Sequence, residues 1–159
     1  MGVELGREDT YQWMLRAIGA FMDDEPSCRI SLVEIPDGFV VRLQRHLHKL
    51  DPLVYHFDRT RLKDQLHALA QQRPKSTARP RHQGVWANFP NGHQDFFRAL
   101  GYELDEASAR DILVDEMEDG ILVTYRPPST IGTQKRVVEL HSDEIETILN
   151  DAFARRGRQ

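Results

Sequence analysis

Apolar side chains recur at Met14, Leu15, Ile18 and Met22, and again at Phe96, Phe97, Leu100 and Leu104. The spacing i, i+1, i+4, i+8 keeps each set on one face of an α-helix, so the pattern predicts two amphipathic helices. Asp9 or Thr10, and Asn91, stand where a side-chain oxygen can cap the first free N–H groups. The period then shortens: residues 29–35 and 39–43, and residues 111–117 and 121–125, read as two hairpins, each turning at an Asp-Gly pair. Alternation continues through Leu53, Tyr55 and Phe57, and through Val138 and Leu140, which predicts a third strand in each half. A closing helix follows each one. The first starts near Asp58-Arg59-Thr60 with Leu62, Leu66 and Leu69 inward; the second starts at Ser142 with Ile145, Ile148, Leu149 and Phe153 as its stripe.

The two halves are copies. Residues 11–43 and 93–125 run in parallel at a constant offset of 82, with Gln12/Gln94, Arg16/Arg98, Ala17/Ala99, Gly19/Gly101, Asp23/Asp105, Ile30/Ile112, Glu34/Glu116, Asp37/Asp119, Gly38/Gly120 and Val41/Val123 identical. The expected fold is therefore α+β: two tandem repeats, each a helix, a three-stranded antiparallel sheet and a helix, packed with pseudo-twofold symmetry. Residues 1–72 form the first repeat, 73–83 a basic, proline-containing linker and 84–159 the second repeat. Neither half is large enough to be comfortable alone, so the two are expected to share a core and unfold together.

Two local questions stay open at this level. If Pro36-Asp37-Gly38 forms a three-residue turn with Gly38 left-handed, a geometry that the fixed φ of Pro36 suits, Ile35 pairs with Phe39 and Glu34 faces out. If Asp37-Gly38 is a two-residue turn, Glu34 joins Leu32, Phe39 and Leu43 on the inner face, because one residue of slip exchanges the faces. Gly19 and Gly101 interrupt helices at a cost of about 1 kcal/mol each relative to alanine. Close approach of the two first helices, or of a helix and its own sheet, would offset that cost; the alternative is a glycine that ends the helix.

Composition narrows the function. At 40% apolar residues the chain is globular, and no apolar run is long enough to span a bilayer or to serve as a signal sequence, which points to a cytoplasmic protein with no membrane partner. The lone Cys28 reads as a thiol without a role. Net charge is −4, divided unevenly: residues 1–82 hold thirteen Lys/Arg against eleven Asp/Glu, and residues 83–159 hold eight against fourteen. Opposite signs favour association of the halves with each other.

No motif commits the chain to chemistry. There is no serine elbow, no glycine-rich phosphate loop, and no cofactor signature; His46, His48 and His56 lack the close-spaced Cys or carboxylate partners of a zinc site. Glu34 and Glu116 form a duplicated carboxylate pair, expected to be solvated or ion-paired, for instance with the duplicated Arg16 and Arg98. Cations cluster from Arg42 to Arg81, with Arg73, Lys75, Arg79 and Arg81 in the linker as a polyanion-binding stretch. The helix–three-strand–helix order is similar to that of double-stranded-RNA-binding domains, without that family's lysine-rich second-helix motif. The expected function is thus non-enzymatic binding of a protein partner through Arg16, Arg98, Glu34, Glu116, Trp13 and Trp86. The alternatives are a small-ligand protein or hydrolase with a pocket between the repeats near Trp13, Trp86 and Phe89, and nucleic-acid binding through residues 42–81.

Overall fold

A computed structural model describes residues 10–25, 28–45, 51–72, 82, 84–128 and 134–157. In chain order the elements are α1 (Tyr11–Asp23), β1 (Cys28–Ile35), β2 (Gly38–Arg45), β3 (Leu53–Asp58), α2 (Leu62–Gln72), a 3₁₀ turn (Gly84–Asn88), α3 (Gly92–Glu106), β4 (Arg110–Met117), β5 (Gly120–Arg126), β6 (Arg136–His141) and α4 (Ser142–Gly157). The fold is α+β: among the described residues, four α-helices and one six-stranded antiparallel sheet in the order β3-β2-β1-β4-β5-β6. β1 with β2, β2 with β3, β4 with β5 and β5 with β6 pair antiparallel, and the sheet is completed by β1 pairing antiparallel with β4.

One face of this sheet is the core. Leu32, Val41, Val114 and Val123 lie side by side across the four central strands and are essentially inaccessible, as are Met14, Leu15, Ile18, Met22, Phe96 and Phe97 from α1 and α3. Burying a side chain of this size contributes about 1.5 to 3 kcal/mol, which is why the apolar stripe dictates which helix face turns inward. Leu104, Leu62, Ile145 and Leu149 join the same cluster, and Leu100, Leu66, Leu69 and Ile148 pack against it half-buried. Phe153, assigned to the inward stripe of α4, is 63% exposed instead; it lies more than a turn beyond Leu149, the last buried residue of that helix.

The hairpin takes neither expected register. Ile35 pairs with Gly38 and Glu34 with Phe39, so Pro36-Asp37 is the turn and Gly38 begins β2. Gly38 does not adopt the left-handed conformation: its glycine is required because a Cβ there would strike the Phe57 carbonyl of β3. The second hairpin turns in the same way, with Met117 opposite Gly120. Glu34 consequently lies on the inner face, the consequence attached to the two-residue turn.

Both interior glycines are helical, which removes the helix-ending alternative. A Cβ on Gly19 would stand 2.5 Å from the His93 carbonyl oxygen, and one on Gly101 would stand 2.6 Å from the backbone of Gln12. Helices α1 and α3 therefore cross with backbone against backbone at two points, each glycine meeting the first turn of the other helix.

Candidate functional site: the central seam and the open sheet face

The β1–β4 ladder is short. Only Ser31, Leu32 and Val33 pair, with Asp115, Val114 and Leu113 respectively. Past Leu113, β4 is irregular in its pairing with β5 between Arg110 and Leu113, with Asp111 at φ 52°, and at both ends of the short ladder the next backbone N–H groups of Ile112 and Ile30 have no β1–β4 partner. Two glutamates replace those partners. Glu34 accepts from the Ile112 N–H at 3.1 Å, and Glu116 accepts from the Ile30 N–H at 3.2 Å, closing the ladder at both ends. An unsatisfied buried N–H costs about 1 to 3 kcal/mol, so a carboxylate at each end has a structural reason to exist.

Each glutamate has a second set of contacts. Glu34 also accepts from the Tyr11 hydroxyl at 2.6 Å and from Arg59, whose guanidinium is one-third exposed and also faces the Phe39 ring. Burial first, then the hydrogen bond to this carboxylate, push the Tyr11 phenol far above its ordinary range. Glu116 accepts from the Trp86 indole N–H at 2.9 Å. The expected pairing of these glutamates with Arg16 and Arg98 is replaced: both arginines are exposed, Arg16 donates to the Gln94 side-chain oxygen at 3.2 Å, and the cation that reaches Glu34 is Arg59. Trp13 is half-buried and Trp86 buried, stacked on His93 at 4.1 Å between ring centroids.

Helix capping crosses the seam as well. Thr10 caps α1 locally through the Trp13 N–H, but Asn91 makes no side-chain cap on α3. Asp23 supplies it from the end of α1, accepting from the backbone of His93 at 2.9 Å and Gln94 at 3.1 Å. In return Asp105, at the end of α3, accepts from the backbone of Tyr11 at 2.9 Å and Gln12 at 3.0 Å. A carboxylate facing a helix N-terminus is favoured by both the free N–H groups and the helix dipole. No local sequence signal marks these caps, because donor and acceptor lie about 70 to 94 residues apart; the duplicated Asp23/Asp105 identity was the only trace.

Among the described residues, Asp23, His82 and His93 are the ones whose donor atoms lie within 4.8 Å of one another and could hold a metal ion. Asp23 already accepts from three N–H groups, the third being His93 Nδ1 at 3.0 Å, and the His82 ring donates to the Asp23 carbonyl at 2.9 Å. His93 Nε2 is buried without a hydrogen-bond partner. The arrangement accounts for itself as a helix cap with two imidazole neighbours.

Among the described residues, no helix packs on the opposite face of the sheet. Register places His56, Val40, Val33, Leu113, Thr124 and Val137 in one row across all six strands, and Val54, Arg42, Ser31, Asp115, Leu122 and Glu139 in the next. Outward positions of a solvated sheet are ordinarily polar. Here Val54 and Val137 are 62% and 61% exposed, and Val33 is exposed at the centre. At the β4–β6 end the same face holds an acidic cleft of about 480 Å³ lined by Arg29, Asp115, Leu122 and Glu139 among others.

The linker cations Arg73, Lys75, Arg79 and Arg81, the histidines His46 and His48, and the Cys28 side chain lie outside the described residues. No described helix is long and apolar enough to cross a membrane. Comparison of this chain with protein-family models, curated proteins and solved structures finds no match.

Proposed function

We propose that this chain is a non-enzymatic binding protein, a fused pseudo-dimer of two helix–three-strand–helix units, that docks a protein on its uncovered sheet face. The observation that carries the reading is the outward row His56, Val40, Val33, Leu113, Thr124 and Val137, apolar at four of six positions, with Val33 and Val137 exposed and Val40 and Leu113 half-buried, on a face that no described helix covers. Apolar side chains grouped on an uncovered sheet face support an interaction site. Support for duplication comes from contacts that recur at the offset of 82: Glu34 with Ile112 and Glu116 with Ile30, Asp23 with His93 and Asp105 with Tyr11. The junction where a ligand pocket was the alternative is filled by backbone contact at Gly19 and Gly101, which favours a scaffold over a pocket protein. Glu34, Glu116 and Trp86 then act as the internal frame of the junction.

The test is site-specific photocrosslinking in cells. A photoreactive residue at Val33, Val54 or Val137 should yield discrete adducts with protein, whereas the same residue at Lys63 or Glu146, exposed on α2 and α4, should not. Adducts of equal strength from helix and sheet positions, or none from the sheet, would overturn the reading.

A further inference from the structure

The open sheet face is not uniform in charge. Its β1–β3 side presents the cation Arg42, with His56 beside Asp37, and its β4–β6 side presents Asp115 and Glu139, with the apolar positions shared between the two sides. A face with a cation on one side, carboxylates on the other and apolar side chains at half of the twelve positions in these two rows is complementary to itself. Building on the docking reading above, we propose that the occupant is a second copy of this chain, seated face to face about a twofold axis that runs along the strands between β1 and β4.

Charge selects that axis. A twofold perpendicular to the strands would lay β2 on β2 and β4 on β4, and at the height of the Arg42 row it would set Arg42 near Arg42 and Asp115 near Asp115, so like charges oppose it. Rotation about the strand direction instead preserves height along the strands and exchanges the two sides. Val33 then lies over Leu113 of the second copy, and Val40 over its Thr124. Arg42 comes down on Leu122 of the second copy, between the Asp115 and Glu139 that flank it on neighbouring strands, where the acidic cleft is. Because the operation is its own inverse, the same contacts form twice and the assembly closes at two copies. Two sheets stacked in this way are an aligned sandwich, a packing that twisted sheets adopt with their strands about 30° apart. Six strands spaced about 4.8 Å and about six residues long offer a platform of roughly 500 Å² in projection, and more once side-chain relief is counted, the scale of an ordinary stable interface.

The experiment is sedimentation velocity on the full chain from about 1 to 100 μM, with three variants confined to outward positions whose folding is checked by circular dichroism. The expected result is a reversible dimer in the micromolar range. Arg42→Glu should raise its dissociation constant by about tenfold or more, Val33→Glu should leave a monomer, and adding Asp115→Arg and Glu139→Arg to Arg42→Glu should restore dimerisation by exchanging the two signs. A wild-type chain that is monomeric throughout, or a dimer indifferent to both Val33→Glu and Arg42→Glu, overturns the proposal. A monomer whose sheet face still crosslinks another protein in cells overturns only the second copy as occupant; a monomer with no sheet-face adducts overturns the docking reading as well.

Discussion

The two ends of the central seam do the same work with different side chains. At one end Glu34 holds the Ile112 N–H and shares its carboxylate with Tyr11 and Arg59; at the other Glu116 holds the Ile30 N–H and shares with Trp86. The caps diverge in the same manner: Asp105 binds two backbone N–H groups, and Asp23 binds two plus the His93 ring. What is common to both ends is a carboxylate on orphaned backbone donors. No substitution short of proline removes a backbone N–H, so its acceptor is held fixed, while the remaining lone pairs of each carboxylate are free to find whatever donor the neighbouring element offers.

The comparison breaks first at the caps. Asp23→Ala strips three donors of their acceptor in a buried setting and should cost about 3 kcal/mol, against about 2 kcal/mol for Asp105→Ala, which strips two in a half-buried one. Chemical denaturation of the two variants beside the parent measures both; equal losses would mean that the His93 bond adds nothing.

The crossing glycines come next, and here the two ends should agree. Gly19→Ala and Gly101→Ala would each gain in helix propensity at a free surface, but the added Cβ meets the backbone of the other helix, so each should destabilise by about 1 to 3 kcal/mol, or roughly 2 to 9 °C in Tm. A variant melting at or above the parent would show that the helices can part without cost.

The smallest effect separates Tyr11 from Trp86. Because the folded-state pKa of Tyr11 is raised above its ordinary 10.0, its contribution is fully present below about pH 10 and declines above it, as the unfolded chain sheds a proton that the native state retains. Tyr11→Phe should cost about 1 kcal/mol at neutral pH and flatten the alkaline loss by up to about 1.4 kcal/mol per pH unit, read from urea unfolding between pH 9 and 11. An unchanged alkaline slope would place the proton elsewhere.

Much of this was legible in the apolar pattern. The stripe Met14, Leu15, Ile18, Met22 and the alternation Leu53, Tyr55, Phe57 placed helices and strands because burial is periodic along a chain. Close backbone approach at Gly19 and Gly101 was legible too, since a helix tolerates glycine where something else offsets the loss, but whether helix or sheet would meet them was not. The turn register did not follow, because the glycine that marks it answers to β3, a strand at least fifteen residues away in sequence, and not to local turn geometry. Glu34, read as solvated or salt-bridged to Arg16, proved to be the acceptor for a strand of the other half, an arrangement that only the β1–β4 register reveals. Local propensity has no access to such pairings.

The seam also governs how the chain must fold. Both hairpins close over a few residues and can form early, whereas the bonds that join β1 to β4 and cap α1 and α3 connect residues about 70 to 94 positions apart. Such contacts carry a loop-closure cost that nothing local repays, so pairing of β1 with β4 is expected to follow the hairpins. Side chains that act only across that joint, Asp23, Asp105, Glu34 and Glu116 among them, form after the hairpins on the way in.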